Sequence, residues 1–300
     1  MEASVCIATF RRPEGLARLL RSLEGQAGDV PPFEVVIVDN DAAGSAADVC
    51  ESFKTRLALR YLSEPQRGIA GCRNRAVAAS EGRYLAFIDD DEEATPDWLA
   101  ALHGEIERSG ADAAFGPVTY RFTVEPPDWF RKSGIFAYPE FANGEAVPRF
   151  LTRTSNAYVR RASLPDPGSP FDASLGLIGG EDIDLFYRMA EKGARFVAAA
   201  DARTIEYCGP SRATLGWLVR RSFRNGGTLA RIEWSNEPWF VRLDHGWRAW
   251  FESLSSMLRA AGYLGRSRAM ALKRATYSIE CLGRAAWTVG IVYEEYRRRA

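Results

Sequence analysis

The sequence predicts an α/β domain on a mixed, mostly parallel sheet flanked by helices, continued by a C-terminal helical extension. Three observations carry that expectation. Short β-rich runs alternate with helix-like stretches through the first half of the chain. Each run meets a polar residue at its carboxyl end, where open α/β sheets place ligands. After residue 200 the pattern is mainly helical.

Strands are expected at Ser4–Thr9, Glu34–Asp39, Ala58–Ser63, Tyr84–Asp89 and Asp112–Val118. Helices open between them at Pro13, Ser45, Ile69 and Thr95-Pro96. Proline in a first turn costs little, because that N–H has no partner within the helix. Thr123–Pro148, rich in Pro, Gly and aromatic residues, reads as a loop over a site. Its Trp129, Phe130, Phe136 and Tyr138 suit either a platform for a sugar face or packing of the loop itself. A strand-like segment follows at Phe150–Arg160, then a turn-rich run, Leu164–Gly168. Gly179-Gly180-Glu181-Asp182 leads into an amphipathic helix through Glu191, and Arg195–Ala200 reads as a strand. Helices are expected near Arg212–Glu233, Gly246–Leu264 and Arg266–Arg298. A boundary in Trp234–His245 divides a catalytic domain, 1–235, from the extension, 236–300.

Composition narrows the function classes. Among 300 residues, 46% are hydrophobic, enough for a substantial core. Lys and Arg number 39 against 39 Asp and Glu, which gives no reason to expect a nucleic-acid partner. From Gly246 onward ten basic residues face four acidic ones, so this stretch alone has an electrostatic preference. With aromatic residues beside those charges, it suits packing against the domain or a second chain, or peripheral attachment to an anionic leaflet. Five cysteines without paired spacing and two histidines, His103 and His245, suggest neither a disulfide framework nor a zinc site, and fit a reducing, cytoplasmic compartment. No run reaches the roughly 20 apolar residues that a membrane span requires, and the start reads as a strand rather than a signal peptide.

Three consecutive carboxylates, Asp89-Asp90-Asp91, follow the apolar run Tyr84–Ile88. Close like charges repel unless a cation or water neutralises them, and a hard divalent ion such as Mg²⁺ or Mn²⁺ does so through oxygen. The plainer reading is a solvated turn in which one Asp caps the helix near Pro96. Glu181-Asp182 likewise reads either as a carboxylate aimed into a cleft or as an ordinary helix start, where acidic residues are favoured.

The order of these motifs resembles the inverting glycosyltransferases of family 2, which have the GT-A fold. The resemblance rests on Ala8–Arg12, Val36–Asn40, Gly68–Asn74, Phe87–Glu92 and Gly180–Asp184, and spans roughly residues 1–225. Ile88–Glu92 and the segment Arg212–Arg221 are similar to the subgroup that builds bacterial exopolysaccharide repeats. The resemblance implies a nucleotide-sugar donor, with UDP the commonest base, and a saccharide or lipid-linked saccharide acceptor. It further implies that Thr9 and Asp39 contact the nucleotide, that Arg73, Arg212 and Arg221 meet the diphosphate, and that Asp89 and Asp90 face the nucleotide sugar. Asp91, with Asp89, would bind the metal, and Asp182 would be the base with Glu181 as its competitor. Where many relatives carry a histidine as a further metal ligand this chain has Ile205-Glu206-Tyr207, so Glu206 stands as the substitute. Asn156 matches a family position near the donor sugar. The alternatives are a carbohydrate-binding protein of this fold without turnover, and a sugar nucleotidyltransferase. Against the latter, no glycine-rich basic loop follows the first strand.

Overall fold

In the computed structural model, which describes residues 1–294, the chain divides into two compact units. The first holds Met1–Thr119, Tyr138–Gly176 and Glu181–Tyr207. The second holds Tyr120–Ala137, Leu177–Gly180 and the chain from Cys208 onward. The boundary expected at residues 235 and 236 falls in a turn between two helices of the second unit.

The first unit begins with β1 (Ala3–Thr9), α1 (Pro13–Glu24), β2 (Phe33–Asp39), α2 (Ala47–Phe53), β3 (Leu59–Ser63), α3 (Ile69–Ala79) and β4 (Tyr84–Ile88). Then come β5 (Glu92–Ala94), α4 (Trp98–Ser109) and β6 (Ala113–Phe115), while β7 (Val118–Phe122) carries the chain into the second unit and its short α5 (Asp128–Arg131). After the return come β8 (Asn156–Arg160), α6 (Glu181–Glu191), β9 (Phe196–Ala198) and β10 (Thr204–Cys208). Seven strands form one sheet in the order β3-β2-β1-β4-β8-β6-β9. Its β3-β2-β1-β4 half is parallel, and β8 runs antiparallel between β4 and β6.

The alternation of side chains along a strand explains why this sheet is covered on both faces. Val35 and Ile37 of β2 join one apolar layer with Leu16, Leu20, Trp98 and Leu102 from α1 and α4. Val36 and Val38 join the opposite layer with Val77, Phe87, Phe186 and Met189. Burial of such a layer stabilises by about 25 cal/mol per Å² of apolar surface, so the central strands are the stiffest frame available to a site.

Several expected elements shift for identifiable reasons. Asp112–Val118 is not one strand, because Gly116-Pro117 breaks it into β6 and β7, and proline has no N–H for a ladder. Only Asn156–Arg160 of the expected Phe150–Arg160 strand is extended, after a 3₁₀ turn at Arg149–Leu151. The small antiparallel pair β5–β10 is not foreseen, since neither segment alternates clearly.

In the second unit α7 (Leu215–Trp234), α8 (Trp239–Tyr263) and α9 (Arg268–Thr288) pack through small residues. α8 starts seven residues before the expected Gly246. The expected helix to Arg298 ends at Thr288, and its positions 295–298 lie outside the described residues. A Cβ on Gly283 would stand 2.0 Å from the Phe223 carbonyl oxygen, and one on Gly226 would stand 1.9 Å from that of Glu280, so α7 and α9 approach backbone to backbone. Ser253 and Ser278 join α8 to α9 with their hydroxyls 2.9 Å apart. The aromatic loop finds its partners here. Phe136 stacks on Phe130 and on Trp217, beside buried Leu218 and Leu272, so packing accounts for these rings. His245 stacks on Trp234, and in the first unit His103 bonds the Tyr158 hydroxyl at 3.1 Å.

Candidate active site

The parallel strands end together, and that brings the polar residues into one cluster. The β1–β2 register pairs Thr9 with Asp39, while β4 delivers Asp89-Asp90-Asp91 beside them. Thr9 donates its hydroxyl to Asp90 Oδ2 at 2.8 Å. Arg12 Nη1 donates to Asp90 Oδ1 and to Asp91 Oδ2, each at 2.8 Å. The geometry that brings Arg12 there is local: Arg11 takes a positive φ of 53°, sparsely populated for a residue with a Cβ, and α1 then starts at Pro13. Gly15 completes the approach, since a Cβ there would stand 2.6 Å from the Asp90 carbonyl oxygen.

The three carboxylates differ. Asp90 is enclosed, and burial pushes its carboxyl up to about 6, with Arg12 opposing the rise and Asp91 adding to it. Asp89 is also raised by its packed surroundings and by Asp91 and Asp182, against the pull of Arg73, but 41% of its side chain is open to water, which limits that rise. Burial works against the charge of Arg12, yet Asp90 and Asp91 outweigh it and hold the guanidinium charged. Behind the triplet Glu92 is fully enclosed and its pKa lies well above the usual carboxylate range, through burial first and then Asp89 and Asp91. Arginine opposes this only in part, since Asp91 still raises the pKa of Asp89, Asp90 and Glu92.

Arg73, on α3, is buried and joins two carboxylates: it donates to Asp89 Oδ1 at 3.1 Å and forms an ion pair with Glu181 at the start of α6. Glu181 and Asp182 thereby separate. Glu181 is 2% exposed and held by Arg73, whereas Asp182 is half-buried. Asp182 accepts the Thr154 N–H at 3.4 Å and the Ile183 N–H at 2.9 Å, and lies near enough to Asp89 to raise its pKa.

Asp39 is fully enclosed. Its oxygens accept the N–H groups of Asp41 and Ala46, each at 2.9 Å, and the Tyr61 hydroxyl at 3.1 Å, so it shapes the loop after β2. Asn40 ties that loop to the start of α3, donating to the Glu64 and Gln66 carbonyls and accepting the Gly68 N–H. Asn156 is committed to the frame: it accepts from the Trp98 indole and donates to the Pro117 and Ala202 carbonyls. Glu206 lies on β10, paired in register with Glu92 and so one residue beyond Asp91. Arg212 and Arg221 belong to the second unit, Arg212 in the 3₁₀ turn Pro210–Ala213 and Arg221 exposed over the Trp217 ring.

Arg12, Glu92 and Thr154 were not among the expected site residues. A cation near the triplet is deducible from charge alone, but which of Arg11 and Arg12 turns inward depends on the backbone at Arg11. Among the described residues no group of three or more His, Cys, Asp or Glu side chains is already arranged around a metal position. Asp89 and Asp91 have the hard oxygen donors that a divalent ion favours, and the residual repulsion is the kind such an ion relieves, so they fit as two of its ligands.

The chain is similar to known proteins in sequence and in fold. A family profile, Glycosyl transferase family 2, matches residues 4–165. The chain is 36% identical to the succinoglycan biosynthesis protein ExoM of Rhizobium meliloti, over 77% of this chain and 75% of that protein. It is 27% identical to the validoxylamine A glucosyltransferase of Streptomyces hygroscopicus subsp. jinggangensis, over 68% of this chain and 54% of that one. Among solved structures, S. aureus TarS 1-349 in complex with UDP aligns with a TM-score of 0.59 at 18% identity, covering 98% of this chain and 93% of that one.

Proposed function

The chain belongs to glycosyl transferase family 2 and has the GT-A fold, and from that premise we propose that it moves a hexose from a nucleoside-diphosphate sugar, with UDP the favoured nucleotide, to a saccharide acceptor with inversion. The observation that carries this reading is the contrast between Glu181, enclosed and ion-paired, and Asp182, half-open beside Asp89. Direct displacement at an anomeric carbon calls for one base that takes the acceptor hydroxyl proton, and inversion follows from attack opposite the leaving diphosphate. Asp182 is that base. The Thr154 and Ile183 N–H groups orient its oxygens, and Arg73 holds Glu181 and Asp89 in place beside it. Asp39 and Asn40 shape the loop that receives the nucleotide.

Asp89 and Asp91 would hold Mg²⁺ or Mn²⁺, with Glu206 as a further oxygen donor nearby. The ion would supply charge neutralisation for the leaving diphosphate. Thr9 and Arg12 hold Asp90 and Asp91 in position.

UDP and UDP-GlcNAc are ligands of TarS in its solved structures, which supports the donor class, and the name of ExoM supports an acceptor from polysaccharide assembly. No helix among the described residues is long and apolar enough to cross a membrane. A lipid-linked acceptor would bring the chain to an anionic membrane surface, towards which the basic excess after Gly246 would draw it. Calorimetric titration with UDP, with and without Mn²⁺, tests the donor site: binding tightened at least tenfold by the ion is expected, and metal-indifferent binding would remove the metal from the reading. A nucleotide-sugar screen by thermal shift then identifies the donor, since a ligand that binds only the folded state raises its melting temperature.

A further inference from the structure

Helix α8 is turned inside out. The residues it buries are small: Gly246, Ala249, Ser253, Ser256 and Ala260. Its large side chains face outward, at Phe240, Leu243, Trp247, Trp250, Leu254 and Met257, with Trp239, Phe251 and Leu258 widening the stripe. The first six recur at alternating steps of three and four residues, the heptad spacing by which one helix presents a continuous seam to another. All nine are between 38% and 68% exposed. Aromatic side chains of about 150–250 Å² dominate the stripe, and the exposed apolar surface is on the order of 900 Å². That exceeds the roughly 300–600 Å² of a monomer's largest apolar patch and matches the roughly 800 Å² that one partner contributes to a standard interface.

We propose that this face is the contact between two copies of the chain, with α8 of one lying antiparallel along α8 of the other. Two features favour a second copy over a lipid surface. The exposed polar edge of α8 carries Arg248 and Arg259 against Asp244 and Glu252, so it has no net charge, whereas helices lying on anionic leaflets carry a basic edge. The stripe's area is also the share that one partner brings to a standard protein interface, and a second copy supplies an equal share. A two-fold interface must complement itself, residue against residue. An antiparallel pairing centred on Trp250 and Phe251 does so along the middle of the stripe: Trp247 meets Leu254, Leu243 meets Leu258 and Phe240 meets the small Ala261, while Met257 lies at the rim beside Asp244. The contact is independent of the transfer chemistry proposed above.

Sedimentation velocity of the full chain over a wide concentration range tests the pairing. The wild type is expected at twice the mass of one chain. Trp247→Lys and Leu254→Glu, each alone, are expected to halve that mass while leaving circular dichroism and the thermal response to UDP with Mn²⁺ unchanged. The two together are expected to restore it, because each lysine then faces a glutamate of the other copy. A wild type that stays at the mass of one chain overturns the proposal, as does a pair of single variants that remain dimeric. Failure of the double substitution to recover the mass overturns the antiparallel register. Flotation with phosphatidylglycerol vesicles that a monomeric wild type shows and Trp247→Lys abolishes assigns the face to lipid instead.

Discussion

The strand-end cluster of the first unit and helix α8 of the second break the ordinary sorting of residues in opposite directions. One encloses carboxylates: Asp90, Glu92 and Glu181 are all at or below 5% exposure. The other leaves tryptophan and phenylalanine outside while its buried side is glycine, alanine and serine. Enclosing a charge is unfavourable unless it is paired, and leaving a large apolar face in water forfeits the main driving force of folding. Arg12 and Arg73 offset part of the first cost, and what remains at each place would be relieved by something that binds. The chemistry at each place fits what is proposed for it: a cation and a diphosphate at the first, a self-complementary helix at the second.

The comparison is broken most directly at the enclosed carboxylates. Asp182→Asn is expected to lower kcat by about 10²–10⁴, the usual contribution of a general base, with UDP affinity nearly unchanged; retained turnover would move the base elsewhere. Arg73→Met leaves Glu181 enclosed without its ion pair, and loss of one member of a buried pair costs about 3–5 kcal/mol in a denaturant melt. A loss under 1 kcal/mol would mean that Glu181 reaches water.

In the second unit the packing is of backbone on backbone, so the sensitive change there is added volume. Gly283→Ala is expected to destabilise by about 1–3 kcal/mol, measured as earlier loss of helical circular dichroism, because the new Cβ would collide with the Phe223 carbonyl. The last effect is a pH slope. Asp90 has a folded-state pKa of about 6 against an ordinary 3.8, so the stability it contributes is fully present below pH 4 and is lost as pH rises through 6. Metal-free Asp90→Asn protein is expected to lose less stability than the wild type between pH 4 and pH 7. Equal slopes would show that Arg12 already neutralises the carboxylate.

Much of the first unit was legible because its signals are local. Continuous apolar runs at Glu34–Asp39 and Tyr84–Asp89, each short and ending on a polar residue, demand buried strands. The break at Gly116-Pro117 was also local and is explained by proline's missing N–H, although the longer apolar run concealed it. The pair β5–β10 was not legible, because its strands are short and meet only through residues far apart in the chain. The aromatic loop was ambiguous for a similar reason: whether Phe130 and Phe136 face a sugar or Trp217 is decided by a helix more than eighty residues away.

By itself the sequence determined the α/β class, the family, and the list of carboxylates and arginines on which the chemistry draws, since these depend on residue type, period and order. Tertiary structure alone decided how they share the work. Arg12 rather than Arg11 turns to the triplet because of one positive φ, and Arg73 pairs with Glu181 while Asp182 stays half-buried. It alone decided, too, that α8 shows its large side chains outward. A helical repeat reveals a stripe, and which side a neighbouring helix covers is settled by contacts between distant segments.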